Sequence, residues 1–279
     1  TPRTHPELIA ALRADLGEAP FAVDAVRERL GDLAANALGR EQSLPARRAV
    51  AGASDPLGIL IGCFGLGLPT AADDLARALP RTGVTGAVTL GIVEPQGAHV
   101  VATCDLRPYG DDAGGAWWVA SDPTEHARSG PLPVDHVLGI GGASSTLASW
   151  TPRPRVARAL DVGTGCGVQA LHLSGHADAV VATDLSRRAL GYAAFNAALN
   201  ELDWDLREGS FLEPVAGEAF DLVVSNPPFV ITPRSGQVPL YEYRDGGRVG
   251  HEVVRSLVRG VGEHLGELVV AGGCLKVVE

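Results

Sequence analysis

The sequence predicts an α/β fold in which a mostly parallel, twisted sheet flanked by helices follows a mainly helical N-terminal domain. Three observations predict this fold. A buried-strand pattern beginning at Ala159 leads into a glycine-rich turn and then into a helical pattern. Two further apolar runs end at Asp184 and at Asn226. Apolar strands that alternate with helical stretches are typical of parallel sheets, whereas residues 1–90 carry mainly helical periodicity.

The composition is typical of a folded globular protein, and the net charge is negative. The 279 residues are enough for one large or two medium domains, and 46% of them are hydrophobic and 20% charged. The formal net charge of −10 disfavours tight, nonspecific binding to phosphate backbones. No apolar run is long enough to span a bilayer, and the first residues lack the apolar core of a signal peptide. The four cysteines lie far apart, which favours reduced thiols and a cytoplasmic location.

Two domains are predicted, one over residues 1–109 and one over residues 110–279, with a turn-rich segment at their boundary. Within the first, Thr70 is predicted to cap a helix that Pro80 ends. A short helix and then a hairpin over residues 91–102 follow. Helix, turn, helix and hairpin in this order resemble a winged helix.

A winged helix implies nucleic-acid binding, and the composition of its recognition helix tests that implication. Here the stretch in that position, residues 81–90, carries one arginine and is otherwise small or apolar. A helix that reads a DNA groove needs several residues able to contact bases and phosphates. We therefore favour a docking or substrate-presenting module over a nucleic-acid reader for the first domain.

The glycine-rich turn at residues 163–167 is predicted to bind a small molecule. Gly163 and Gly165 let the backbone turn sharply and approach a ligand without a Cβ in the way. The spacing is G-x-G-x-G rather than the dinucleotide pattern G-x-G-x-x-G, and Asp161 precedes it. A carboxylate there suits a cationic ligand better than a pyrophosphate. The stretch resembles the cofactor loop of class I S-adenosylmethionine (SAM) dependent methyltransferases.

The resemblance implies a Rossmann-like class I methyltransferase domain and a set of cofactor contacts. Asp184 ends the next strand at the interval expected for the carboxylate that binds ribose hydroxyls. Leu185 would pack on the adenine; Ser210 stands where the family often has an acid, and Phe211 would cover the ring. The segment from His136 to Ser145 resembles the part of amino-methyltransferases that closes over the methionine end of SAM. The full set of predicted cofactor residues is Asp161, Gly163, Thr164, Gly165, Gly167, Asp184, Leu185, Ser210, Phe211 and Asn226.

The tetrapeptide Asn226-Pro227-Pro228-Phe229 directly follows the fourth predicted strand of this domain. In the family this motif is the active site of methyltransferases that act on planar nitrogens. A planar nitrogen is a poor nucleophile because its lone pair is delocalised. The Asn226 side-chain oxygen and the Pro227 carbonyl can accept both N–H groups, the prolines stiffen the loop, and Phe229 can stack on a flat acceptor. These four residues are the predicted catalytic set.

Three acceptor classes share this loop: glutamine side chains of translation factors or ribosomal proteins, the exocyclic amine of adenine, and the guanine amine of ribosomal RNA. The acidic charge and the loop over residues 241–247, which resembles that of glutamine N5-methyltransferases, favour a protein glutamine. The winged-helix-like domain and Phe229, in place of a tyrosine, favour RNA. The expected partner is therefore a translation protein or an RNA, and the expected product of the cofactor is S-adenosylhomocysteine.

Other classes of function are carried as alternatives. A noncatalytic winged-helix protein with a vestigial α/β domain is disfavoured by the intact motifs, and a nicotinamide oxidoreductase by the glycine spacing. His172 and His176 have a spacing that can hold zinc, but no third ligand is evident, so no metal is predicted. Beyond the active-site loop, a helix is predicted over residues 250–265 and a fifth strand over 271–279. The family sheet has two further strands, which we expect in a segment beyond the printed sequence.

Overall fold

The computed structural model describes residues 1–40, 42–124, 132–227, 255, 257 and 259–265. Contacts divide the chain into two compact units, Thr1–Pro131 with Ala198–Asn200 and Leu132–Ala197 with Glu201–Glu279. Among the helices that the structure describes, none combines the length and the apolar character needed to cross a membrane.

Helices and short antiparallel strands build the first unit. A π-helical turn, Ile61–Gly65, continues α4. The helices and strands, in chain order, are α1 (Pro6–Glu18), α2 (Val23–Leu38), α3 (Leu44–Ala49), α4 (Pro56–Leu60), β1 (Thr70–Ala71), α5 (Ala72–Ala78), α6 (Gly83–Leu90), β2 (Val93–Gln96), β3 (His99–Ala102), β4 (Asp105–Gly110) and β5 (Ala116–Ser121).

The hairpin of β4 and β5 determines where the first unit can end. The two strands pair over their whole length, from Asp105 with Ser121 to Gly110 with Ala116. The boundary predicted between residues 109 and 110 falls inside this hairpin. Dividing the chain there would separate paired strands, so the division by contacts, after Pro131, is the one that keeps the backbone hydrogen bonds together.

A three-stranded antiparallel sheet has the order β1-β3-β2, with β1 directly before α5 in sequence and the other two strands after α6. The predicted cap by Thr70 is wrong. Thr70 lies in β1, where it pairs with Val100, and its hydroxyl donates to the Leu68 carbonyl at 3.0 Å. The backbone at Thr70 is therefore extended and paired in a sheet, at the position where the sequence pattern predicts the start of a helix. The likeness to a winged helix stays a prediction.

Asp15 joins α1 to the start of α6 through a buried carboxylate. Its side chain is 1% exposed. The carboxylate accepts the backbone N–H of Thr82 at 2.8 Å, the Thr82 hydroxyl at 2.8 Å and the backbone N–H of Arg81 at 3.1 Å. These N–H groups precede the first turn of α6, where no intrahelical acceptor exists. Asp15 therefore caps a helix that is distant from it in sequence.

Replacing Asp15 by alanine is expected to lower the free energy of unfolding by about 3 kcal/mol, because two buried N–H groups and a hydroxyl lose their acceptor. Chemical denaturation followed by circular dichroism measures this change. The matched control is Glu18→Ala, which removes only the exposed ion pair between Glu18 and Arg81 at 2.5 Å. Equal stability of the two variants would contradict the capping role.

A parallel sheet with helices between its strands forms the second unit. The sheet has the order β8-β7-β6-β9, and all three pairings are parallel. A 3-10 turn at Glu213–Val215 precedes the last strand. The elements, in chain order, are α7 (Gly142–Trp150), β6 (Val156–Val162), α8 (Val168–Leu173), β7 (Ala177–Asp184), α9 (Arg187–Leu199), β8 (Trp204–Glu208) and β9 (Leu222–Ser225).

The predicted α/β class is confirmed, since a parallel sheet flanked by helices follows a largely helical region. Apolar side chains from the sheet pack with those of the last described helical residues in one core. The buried members of this core are Leu160, Val162, Val181, Val215, Phe220, Val223, Leu257 and Val261. The strand predicted at 271–279, the loop at 241–247 and most of the helix predicted at 250–265 lie outside the described residues.

Candidate functional site

The register of the parallel sheet brings three loops to one edge. Val162 of β6 pairs with Thr183 of β7 on one side and with Ser225 of β9 on the other. The next residues along the three strands are the glycine turn, Asp184 and Asn226. Carboxyl ends of parallel strands are where open α/β sheets bind ligands.

A pocket of about 370 Å³ opens at this edge, a size within the range of small-molecule sites. The structure brings together there eight of the predicted residues, namely Gly163, Thr164, Gly165, Asp184, Leu185, Ser210, Phe211 and Asn226. Three described residues of the predicted set, Asp161, Gly167 and Pro227, are not among the lining residues. Pro228 and Phe229 lie outside the described residues, so their predicted roles stay predictions.

The glycine turn has the backbone conformation that a close ligand approach requires. Gly163 and Gly165 have φ values of +73° and +58°, and a Cβ added to either would meet no atom within 4 Å. The Cβ of any other residue would therefore project into open space instead of against the protein. The N–H groups of Gly163 and Thr164 both donate to the Thr183 carbonyl at 2.9 Å, which fastens the turn to β7.

Gly167 has a packing role beneath the pocket. Its φ is +92°, and an added Cβ would lie 2.5 Å from the indole ring of Trp204. Trp204 is itself fixed, because its Nε1 donates to the Ser174 hydroxyl at 2.8 Å. Gly167 therefore allows α8 to start directly against β8, while the ligand-facing part of the turn is Gly163 to Cys166.

Asp184 lines the pocket and also holds the turn. Its Oδ2 accepts the Gly165 N–H and its Oδ1 accepts the Ser186 N–H, both at 2.8 Å. Burial raises the pKa of this carboxyl, and the two backbone N–H groups partly oppose that shift. Each carboxylate oxygen has a second lone pair, so Asp184 retains acceptor capacity for a ligand hydroxyl.

Asp161 lies beneath the turn with an incomplete set of partners. It is 1% exposed, and its Oδ2 accepts the Thr164 hydroxyl at 2.7 Å. Its Oδ1 has no hydrogen-bond partner among the described residues. Burial, with the nearby Asp184 carboxylate adding to it, raises the pKa of Asp161 to about 7, although the Thr164 hydrogen bond favours the charged form. A buried carboxyl with this pKa is stabilised as an anion by any positive charge brought near it.

Asn226 is held where β9 meets the turn. The preceding Ser225 is 2% exposed, and its hydroxyl donates to the Val162 carbonyl at 2.8 Å, which ties the end of β9 to the end of β6. The Asn226 Nδ2 donates to the Ser144 hydroxyl at 3.3 Å. Pro227 follows as a buried residue. In the structure, Asn226 and the glycine turn line the same pocket, as their predicted proximity requires.

One wall of the pocket comes from residues outside the predicted set of site residues, some of them in the segment from His136 to Ser145 that the resemblance places over the methionine end of SAM. Gln169, 5% exposed on α8, donates from Nε2 to the Ser144 carbonyl at 2.9 Å, and Cys166 donates from its thiol to the Leu138 carbonyl at 3.3 Å. A polar Gln169 in a helix whose residues are all buried was the available signal. The additional lining residues are Asp135, His136, Val137, Leu138, Gly139, Ser144, Cys166, Val168, Gln169, Ser186 and Ala189.

The chemistry of the pocket suits an organic cofactor with hydroxyl groups and a positive charge. The open glycine cradle and the acceptor capacity of Asp184 fit the ribose of SAM, and the buried Asp161 carboxyl beneath the turn suits its positive charge. Over the part of the chain that the structure describes, there is no cluster of His, Cys, Asp and Glu able to hold a metal ion.

Three features meet at one edge of the parallel sheet: a glycine turn before a helix, an acid at the end of the second strand and Asn-Pro after the fourth. Such an edge is where open α/β sheets bind nucleotide-like ligands. Residues 139–237 match the family model described as "Methyltransferase small domain". This part of the chain is therefore similar to methyltransferase small domains. Residues 18–103 match a second model, described as "Domain of unknown function (DUF7059)".

Relatives of this chain carry two kinds of methyltransferase name. The release factor glutamine methyltransferase of Deinococcus radiodurans is 38% identical over 38% of this chain and 46% of its own length. The ribosomal protein uL3 glutamine methyltransferase of Bradyrhizobium diazoefficiens is 34% identical over 49% of this chain and 45% of its own. The ribosomal RNA small subunit methyltransferase C of an Enterobacter species is 32% identical over 49% and 35%. The chain thus spans less than half the length of these curated relatives.

Among solved structures, the T. thermophilus 16S rRNA N2 G1207 methyltransferase in complex with AdoMet and guanosine has a TM-score of 0.43 and 18% identity. The alignment covers 81% of this chain and 59% of that chain. The ribosomal protein L11 methylase of Lactobacillus delbrueckii has a TM-score of 0.35 and 25% identity, over 47% and 58%.

Proposed function

We propose that this chain is a SAM-dependent N-methyltransferase acting on a planar nitrogen, and that its acceptor is the side-chain amide of a glutamine in a translation-related protein. The observation that carries the proposal is the meeting of Asn226 with the glycine turn in one pocket. The match of residues 139–237 to the methyltransferase small domain supports the reaction class. The two glutamine methyltransferases among the relatives support the acceptor.

SAM, when bound, supplies a methyl group activated by a sulfonium. In our proposal Gly163, Thr164 and Gly165 give the cofactor a backbone cradle, and Asp184 accepts hydrogen bonds from its ribose hydroxyls. Leu185, which is 68% exposed at the pocket, and Phe211 cover the base. Asp161 supports the positive charge from below the turn by its electric field. A preorganised set of acceptors requires little reorganisation when the ligand arrives.

The acceptor nitrogen is oriented by the chain's own oxygens. Asn226 Oδ1 and the Pro227 carbonyl accept its two N–H groups, which directs the plane of the amide and lets electron density build on nitrogen. Proline at 227 fixes φ and stiffens the loop, so the two oxygens keep their spacing. Holding the reacting groups in one geometry supplies much of the rate acceleration without a strong general base. Phe229 stays in the proposal as the residue that stacks on the acceptor.

The charge at the pocket favours a protein acceptor over a nucleic acid. The acidic side chains among the described lining residues are Asp135 and Asp184, and neither lysine nor arginine is among them. Phosphates are bound by clustered lysine and arginine side chains, and the described lining offers none; the adjacent Arg188 is paired with Asp135 at 3.6 Å. The exocyclic amine of adenine or guanine is the alternative acceptor, supported by the rRNA methyltransferase among the relatives.

The acceptor is tested by incubating the protein with methyl-tritiated SAM and a ribosome-containing cytoplasmic extract, followed by digestion with nuclease or protease. We expect macromolecular label that survives nuclease and is lost on protease treatment. Label lost on nuclease treatment would establish the nucleobase alternative. Absence of any label above that in boiled enzyme would refute the proposed function.

The affinity for SAM is expected to depend on pH through Asp161. Because the pKa of Asp161 is raised to about 7 and a cationic ligand favours the carboxylate, binding strengthens as pH rises. Between pH 5.5 and pH 7.0 the Kd should fall about tenfold, as expected for binding coupled to the loss of one proton. Calorimetry measures this dependence and the proton release.

The control for this prediction is Asp161→Asn, which keeps the shape of the side chain but does not titrate. Its Kd should change little over the same pH interval. The same raised pKa means that folding favours the protonated form, so the contribution of Asp161 to stability falls as pH rises from about 4 towards 7. An equal pH slope in both proteins would rule Asp161 out as the coupled group.

A further inference from the structure

Ser144 lies at the pocket wall in the first turn of α7. It is half-buried, and it belongs to the pocket lining together with Asn226. Its hydroxyl oxygen accepts a hydrogen bond from Asn226 Nδ2 at 3.3 Å, across 82 residues of sequence. The contact therefore links the wall of the pocket to the amide that we propose as the acceptor-binding group.

The backbone of Ser144 is fixed independently of Asn226. Gln169 Nε2 donates to the Ser144 carbonyl at 2.9 Å, and Gln169 is 5% exposed on α8, two residues after Gly167. The helix that starts at the glycine turn thus holds the first turn of α7 at a defined distance. A hydroxyl on an anchored backbone offers an acceptor at a fixed position.

The two ends of a carboxamide are chemically opposite, because the oxygen only accepts hydrogen bonds and the NH₂ group only donates them. The Ser144 hydroxyl can donate as well as accept, so this contact fixes where the amide lies, and in the structure the NH₂ end is the one that faces Ser144. In that orientation Oδ1 is the end left for a ligand. In the flipped orientation the NH₂ group would face the N–H groups of the methyl acceptor, which excludes the required hydrogen bond.

We propose that Ser144 is a positioning residue that holds the Asn226 amide at the place where Oδ1 can meet the N–H groups of the methyl acceptor. This inference rests on the proposed function. Gln169 supports it by holding Ser144. The arrangement also defines the chemistry of the acceptor: the bound group must offer N–H donors, so an amide or an amine fits, and a carboxylate or carbonyl oxygen does not.

The activity test uses Ser144→Ala, Ser144→Thr and the matched control Ser149→Ala, which removes an exposed hydroxyl from the same helix outside the pocket lining. The rate of label transfer from methyl-tritiated SAM to a fixed amount of extract is measured against SAM concentration. For Ser144→Ala we expect the maximal rate to fall about tenfold, the effect of one lost positioning hydrogen bond, with the apparent KM for SAM unchanged. Ser144→Thr should restore most of the rate, and Ser149→Ala should match the wild type.

A second measurement does not depend on activity. In ¹⁵N-labelled protein, the side-chain NH₂ signal of Asn226 is identified by its loss in Asn226→Ala. Ser144→Ala should shift this signal and speed its hydrogen exchange, while Ser149→Ala should leave it in place.

The outcomes separate the two proposals. An unchanged amide signal and an unchanged maximal rate in Ser144→Ala would overturn the positioning role. A reduced rate that Ser144→Thr fails to restore would also overturn it, since the hydroxyl would then not be the active feature. A wild-type protein that transfers no label would refute the proposed function, and the amide signal would still decide whether Ser144 holds Asn226.

Discussion

Replacing Asn226 by alanine is expected to reduce methyl transfer by a factor of about 10²–10³, because one of two preorganised hydrogen-bond acceptors for the reacting nitrogen is lost. These acceptors act on the nitrogen as its charge changes, so their loss affects the transition state more than the ground state. Affinity for SAM should stay within about threefold of the wild type, since Asn226 belongs to the acceptor side of the site in our proposal. Label transfer and calorimetry measure the two quantities separately.

The matched control for this variant is Asn36→Ala, the same chemical change at an exposed position of α2. It should leave both transfer and SAM affinity unchanged. Thermal unfolding of Asn226→Ala should agree with the wild type, because the amide is only half-buried and Ser225 keeps the end of β9 in place. Equal losses of transfer and of SAM affinity would instead assign Asn226 to cofactor binding.

Replacing Asp184 by alanine is expected to weaken SAM binding by about 2–4 kcal/mol, roughly 30- to 1,000-fold in Kd. Two effects add in this variant. The ribose hydroxyls lose a charged acceptor, and the Gly165 and Ser186 N–H groups lose the carboxylate that fixes them at 2.8 Å. In this variant the glycine turn must become ordered when SAM binds, and the entropy lost in that ordering weakens the affinity relative to the wild type.

Two further variants separate the effects of Asp184. Asp178→Ala removes an exposed carboxylate from the opposite end of the same strand, β7, and should leave the Kd unchanged. Asp184→Asn keeps an oxygen that can accept one backbone N–H, so its loss of affinity should be smaller than that of alanine. Calorimetry at one pH gives all three values, and an unchanged Kd in Asp184→Ala would remove this residue from the site.

Local patterns in the sequence predict most of the loops that form this site. Gly163 and Gly165 indicate a turn with positive φ angles, which residues with a Cβ rarely adopt. The apolar residues before Asp184 and Asn226 indicate buried strands. Parallel strands of an α/β sheet end at the same edge, so these motifs predict a common pocket from their position alone. The pocket lining contains all three of these loops, as that reasoning requires.

Contacts between distant segments account for what the sequence analysis got wrong or left out. Thr70 has the composition of a helix cap, but its pairing with Val100 makes it part of a strand. The acid Asp161, predicted as a cofactor contact, lies under the turn, where it accepts the hydroxyl of the lining residue Thr164 without being a lining residue itself. Neither result follows from neighbouring residues, because pairing and burial depend on segments remote in the chain.

By itself the sequence determined the order of strands and helices around the site, the glycine turn, the acid that ends β7 and the Asn-Pro pair after β9, since each depends on the conformational preferences and polarity of adjacent residues. The tertiary structure alone decided which segments close the pocket around them. Ser144 meets Asn226 across 82 residues and Gln169 across 25 residues, and contacts at such separations arise from packing of the whole domain. Side-chain orientation in the site, and with it the choice between a donor and an acceptor at Asn226, is therefore a property of the folded protein.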